Sequence, residues 1–141
     1  MSGGEGQIAA AQLRRIHKAI KTVPFAQFMG LELDDISSGT ATLAVNVRKE
    51  LTQNQGVVHG GAIASLIDTA TAFAILSLLE PKEKVTTVDL AISYLRPATG
   101  GRLRAVATVV RAGRRLFVVK AEVFDTRGKL ISTALSTYIK I

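Results

Sequence analysis

Two rhythms of apolar and polar positions run along this chain, one helical and one extended. From Gln7 to Ile20 the apolar residues Ile8, Leu13, Ile16 and Ile20 recur at helical spacing against Arg14, Arg15 and Lys18. That spacing predicts an amphipathic helix, which Pro24 ends or redirects. Leu31 to Ile36 predicts a short strand. Ala41 to Val47 alternates, with Ala41, Leu43, Val45 and Val47 on one face and Thr42, Ala44 and Asn46 on the other.

Gly60-Gly61 opens an element that continues to Leu79, before Pro81, and is too long for a strand. Its apolar residues Ala62, Ile63, Leu66, Ile67, Ala70, Phe73, Ala74, Leu76 and Leu78 occupy nearly the whole circumference. A helix apolar all round must be buried on most sides. Four later segments supply a sheet to bury it. The expected faces are Thr86, Val88, Leu90, Ile92 and Tyr94; Leu103, Ala105, Ala107 and Val109; Phe117, Val119, Ala121 and Val123; and Ile131, Thr133, Leu135, Thr137 and Ile139. Pro97 to Gly101, Ala112-Gly113-Arg114 and Asp125 to Gly128 are turn sequences, and such short connections imply antiparallel neighbours. The expected class is α+β, an antiparallel sheet wrapped around a long central helix. No internal repeat or low-complexity linker interrupts it.

With 141 residues the chain fits one domain. The absence of cysteine excludes disulfide scaffolds and thiolate chemistry, and two histidines, His17 and His59, make a histidine-rich metal site a poor expectation. No tryptophan and 5% aromatic residues are too few for stacking single-stranded bases. The net charge of +7 is unevenly spread: residues 81–141 carry twelve basic and four acidic side chains, whereas residues 31–80 carry two and six. A basic surface of this kind serves solubility or an anionic ligand. Met1 to Gly6 is small and polar, is expected to be disordered, and lacks the pattern of a secretory signal. The stretch from Leu51 to Leu79 has no Lys or Arg, but Asp68 and the polar residues Gln53 to Gly61 do not belong in lipid. A soluble, cytoplasmic protein without a membrane span is expected.

One cluster carries chemistry: Gln53-Asn54-Gln55-Gly56-Val57-Val58-His59-Gly60-Gly61, with Asp68 further along the helix. Two glycines at a helix start leave backbone N–H donors uncovered, and the helix dipole behind them favours an oxyanion. Close packing of the helix start against a strand is the other use for such a pair. Asp68, alone in an uncharged helix, needs either a hydroxyl partner such as Thr69 or Thr71 or a functional cavity. His59 is either a structural imidazole or part of the site.

This string, together with Thr87-Val88-Asp89, Tyr94-Leu95-Arg96-Pro97-Ala98 and Gly128-Lys129-Leu130, resembles the hotdog-fold acyl-CoA thioesterases of the phenylacetic acid degradation type. The resemblance implies an N-terminal segment and helix over residues 1–24 and a hotdog thioesterase domain over 25–141. It also implies that Asp68 acts as base on water or as nucleophile, that the Gly60 N–H polarises the thioester carbonyl, and that His59 helps fix the loop. Thr87 matches a hydroxyl position that holds the attacking water. The family's usual Asn six residues before the histidine is here Gln53, with Asn54 beside it, so either amide is a candidate. Gly61, Phe73, Arg96, Arg114 and Arg115 are the expected substrate contacts, Phe73 for the acyl group and the arginines for the phosphates of coenzyme A. The resemblance further implies a homodimer with sites shared between subunits, paired into a tetramer, and no metal or cofactor beyond the coenzyme A of the substrate. Two other activities fit the same residues. One is a hotdog-fold acyl-CoA hydratase or dehydratase, and the other is a non-catalytic protein that binds acyl-CoA or nucleic acid.

Overall fold

The computed structural model describes residues 7–141, so the expectation for Met1 to Gly6 lies outside it. Helix α1 spans Ala10–Thr22, and Pro24 does redirect the chain, standing in the first turn of a short helix α2, Pro24–Met29. Proline fits there because the first helical N–H has no intrahelical partner. Gly30 ends α2 with φ 76°, the left-handed conformation that a glycine adopts without strain.

Six strands follow: β1 Leu31–Ser37, β2 Thr40–Asn46, β3 Val85–Tyr94, β4 Arg102–Ala112, β5 Leu116–Phe124 and β6 Leu130–Lys140. They form one antiparallel sheet in the order β1-β2-β4-β5-β6-β3. Helix α3, Gly60–Leu76, lies between β2 and β3 in the sequence and packs against all six strands. This is the hotdog arrangement. Leu66, Ile67, Ala70, Ala74 and Ile75 of α3 are fully buried against Leu43, Leu103, Ala105, Ala107, Val119 and Val123. Truncating one of the larger of these, as in Ile67→Ala, costs about 2–5 kcal/mol. Among the described residues no helix is long and apolar enough to cross a membrane.

The structure corrects four details. Helix α3 stops at Leu76, three residues before the expected end, because Ser77 closes it. The Ser77 hydroxyl donates to Ala74 O and accepts from Gly39 N, and Leu78 is left 38% exposed. Strand β2 is buried on both faces, Thr42 and Ala44 included. On β6 the helix-facing set is Ser132, Ala134, Ser136 and Tyr138, not the expected Thr133, Leu135, Thr137 and Ile139, whereas Ile131, at the register shift opposite Val123 and Phe124, is buried in the core as expected. The β6 register against Val123, Ala121, Val119 and Phe117 of β5 fixes that face, and Leu135 is 51% exposed. On β3 a bulge between Thr87 and Asp89 shifts the register against β6. Leu90, Ile92 and Tyr94 keep the expected face, but Thr87 joins them there, opposite Tyr138, while Thr86 and Val88 do not.

The two sheet edges differ. Strand β1 carries Glu32, Asp34 and Asp35; Arg102 of β4 bonds Glu32 and Asp34 across β2, and α1 packs alongside. Charge of this kind discourages edge-to-edge pairing. Strand β3 is the other edge, with Asp89 its only charged residue and with Val88 55% exposed.

Candidate active site

The start of α3 is built locally. Residues Gln53 to Val57 fold into a tight loop in which Gln53 N donates to Val57 O and Gly56 N to Gln53 O. Gly56 sits at φ 81°, a turn conformation open to glycine. The Gln53 side chain turns back on this loop, its Oε1 accepting from Gln55 N at 2.7 Å, while Asn54 is exposed at the tip. A Thr52–Val58 bridge closes the loop and delivers His59 as the N-cap of α3.

His59 caps by an unusual route. Its backbone N–H donates to Leu51 O at 2.8 Å, and its ring Nδ1 accepts from Gly61 N at 2.8 Å. An imidazole accepting at Nδ1 carries its proton on Nε2. The cap requires glycine at 61, since a Cβ there would lie 2.9 Å from Nδ1. The Gly61 N–H is therefore consumed within the loop. That leaves the Gly60 N–H, which meets no acceptor among the described residues, as the free donor of the first turn. Tyr94 on β3 packs over Gly60, with its hydroxyl donating to Gly60 O at 2.9 Å. A cleft of about 310 Å³ opens beside them, lined by Val58, Ile63, Leu95, Arg96, Pro97 and Ala98 as well.

Asp68 lies two turns further along, half-buried. Its partners are not the neighbouring hydroxyls in the sequence. Thr69 bonds Ser65 O, and Thr71 donates to the Asp68 main-chain carbonyl at 3.0 Å. The carboxylate instead meets two strands. Thr87 donates to Oδ1 at 3.0 Å, and the Tyr138 hydroxyl lies 3.0 Å from the same oxygen, 2.7 Å from Asp68 O and 2.8 Å from Thr71 Oγ1. No described hydrogen bond reaches Oδ2. Burial holds the Tyr138 hydroxyl above the usual tyrosine range, and the adjacent Asp68 charge acts in the same direction, against the lowering effect of Thr71 and Thr87. The phenol is thus a proton donor at any working pH.

Of the residues singled out in the sequence, the structure joins Asp68 with Thr87, and His59 with Gly60 and Gly61. It does not bring these two groups together within one chain. Eight residues of helix separate Gly60 from Asp68, a rise of ~12 Å, too far for both to touch one carbonyl. Phe73 is 5% exposed within the core and lines none of the described clefts. Arg96 borders the Gly60 cleft, whereas Arg114 and Arg115 sit in the β4–β5 turn at the opposite end of the sheet, ~24 Å away along β5 at the usual strand rise. Tyr138 is the residue that sequence reasoning missed. The signal was present as the lone aromatic of β6, but its face was assigned by the larger apolar residues on the other side.

A family model described as "Thioesterase superfamily" matches residues 55–132, more than half of the chain, including the whole of α3 and both candidate groups. A putative esterase of Halobacterium salinarum is 39% identical over 87% of this chain and 82% of its own. A medium/long-chain acyl-CoA thioesterase of Salmonella typhimurium is 30% identical over 83% and 85%. Among solved structures, the Escherichia coli PaaI protein from the phenylacetic acid degradation operon superimposes with a TM-score of 0.87 at 23% identity, covering 96% of each chain, which is a likeness of fold. The chain belongs to the thioesterase superfamily and is a hotdog-fold thioester hydrolase.

Proposed function

We propose that the protein hydrolyses a medium- or long-chain acyl-CoA to the free acid and coenzyme A, with Asp68 of one subunit and the Gly60 N–H of a second acting on one thioester. The observation that carries this reading is the Asp68 carboxylate, held on one oxygen and free on the other, in a helix without other charge. Oδ2 takes a proton from water as the water oxygen attacks the carbonyl carbon. The carbonyl oxygen gains the negative charge, and the Gly60 N–H at the positive end of a helix dipole stabilises it. Collapse of the intermediate expels the coenzyme A thiolate, a leaving group that needs little acid help. The chemistry draws on no metal or further cofactor.

Two features support the second subunit. The ~12 Å along α3 is too long for Gly60 and Asp68 of one chain to touch the same carbonyl, while a two-fold axis beside α3 would set the third turn of one helix against the first turn of its mate. The half-buried stripe Ala64, Ser65, Asp68 and Ala72, next to the uncovered β3 edge, suits such contact. Leu116 and Leu135, exposed on the outer sheet face, suit further pairing of dimers. The aliphatic lining of the Gly60 cleft, Val58, Ile63, Leu95 and Ala98, favours an alkyl over a phenylacetyl group, and Arg96 at its rim suits a phosphate of coenzyme A.

The test is thiol release from a panel of acyl-CoAs that includes phenylacetyl-CoA and 2-enoyl-CoA. Asp68→Asn is expected to reduce turnover by about 10²–10⁴-fold with the fold intact by circular dichroism. Full activity in that variant overturns the mechanism. Water addition to the enoyl substrate without thiol release would make the enzyme a hydratase instead.

A further inference from the structure

We propose that Tyr138 is a positioning residue for Asp68: with Thr87 it clamps Oδ1, so that Oδ2 alone is presented to the attacking water. This rests on the reading of Asp68 as the base. The phenol is 2% exposed, so it meets neither solvent nor substrate and acts only through Asp68. Its one proton has three acceptors within reach, Asp68 O at 2.7 Å, Thr71 Oγ1 at 2.8 Å and Asp68 Oδ1 at 3.0 Å, and the carboxylate is the only one of the three that can carry a charge. A donor to an ionised acceptor makes the stronger bond.

Two donors on one oxygen do two things. They fix the carboxylate rotamer, and they leave Oδ2 as its one oxygen without a partner among the described residues. Among the described residues of the same chain no other charge lies near the clamp. Helix α3 has none, Asp89 of β3 lies on the opposite face of the sheet, and Lys140 of β6 is bonded to Glu83. The geometry depends on two long-range features: the β3 bulge that turns Thr87 inward, and the β6 register that puts Tyr138 opposite it.

The experiment is Tyr138→Phe, with kcat and KM measured and Tm recorded alongside. The expected result is a fall in kcat of about 10–100-fold, the range of a hydrogen bond to a charged group, with KM unchanged. Thr87→Val, which removes the exposed donor without touching the core, should lower kcat in the same way with KM unchanged, and Thr87→Ser should restore it. A wild-type kcat in Tyr138→Phe, while Asp68→Asn is inactive, overturns the inference and leaves the base intact. A wild-type kcat in Thr87→Val overturns the clamp even if Tyr138→Phe folds poorly. An active Asp68→Asn is a different failure, since it removes the base that Tyr138 is proposed to position.

Discussion

The first and third turns of α3 offer opposite solutions to one problem, that of putting polarity into an apolar helix. The first turn is made of backbone and of residues close in sequence. A loop over Gln53 to Val57, a histidine cap and two glycines leave a single amide uncovered. The third turn is made of side chains gathered from 19 and 70 positions away, Thr87 and Tyr138, around one carboxylate. Local wiring needs small residues and a cap. Distant wiring needs a sheet whose register is correct to the residue, since a slip of one reverses every side chain.

The most severe test of the contrast separates the two turns chemically. Gly60→Pro deletes the proposed donor at a backbone position that accepts proline, adding ring atoms in contact with Tyr94: Gly60 is the first residue of the helix, and His59 at φ −63°, ψ 135° already has the conformation that precedes proline. We expect a loss of about 10²–10³-fold in kcat, comparable in kind to the loss in Asp68→Asn. If the two turns act across a subunit boundary, the inactive variants should complement each other. After they are unfolded and refolded together, thiol release should recover to about a quarter of wild type, since half the dimers are mixed and each has one intact site. No recovery, with mixed dimers demonstrated, would place both turns in one chain's site and sink the shared arrangement.

A smaller effect probes the local turn alone. Gly61→Ala drives a Cβ into the His59 ring, so the cap should open. A lost N-cap costs about 1 kcal/mol, a few degrees in Tm. In a His59→Ala background the same substitution should cost almost nothing more, because the cap is already absent. Equal costs in both backgrounds would separate Gly61 from His59.

The least effect is expected far from either turn. Hydrogen bonding to Lys140, and secondarily to Glu80 N, holds the Glu83 carboxyl below its usual range. A depressed carboxyl stabilises the fold above its unfolded pKa of about 4.5 and loses that contribution as pH falls through its folded value. Lys140→Met should therefore lower Tm slightly at neutral pH and not at all at strongly acid pH, with kcat unaltered. A difference that grows toward acid would contradict the sign.

Much of this molecule was legible in its residues. The helix from Gly60, the six strands, their antiparallel turns, the redirection at Pro24 and the glycine-rich start of α3 all follow from patterns a few residues long. Asp68 stood out because an isolated charge in an apolar helix is costly without a use. What resisted reading depended on partners remote in sequence. Leu135 and Ile139 mark β6 as amphipathic in one sense, yet pairing with β5 turns the smaller Ser132, Ser136 and the aromatic Tyr138 toward the helix. Thr87 would face outward on a regular strand, and one extra residue in β3 reverses it. Phe73 reads equally well as core or as pocket, and packing made it core.

Periodicity and chain punctuation thus determined the elements, their order and the residue that bears the charge, because helical hydrogen bonds close within four residues and a strand's two faces alternate residue by residue. Tertiary structure alone decided which hydroxyls hold that charge. A bulge or a pairing register is chosen by the summed fit of whole strands, and no single stretch of residues contains that sum.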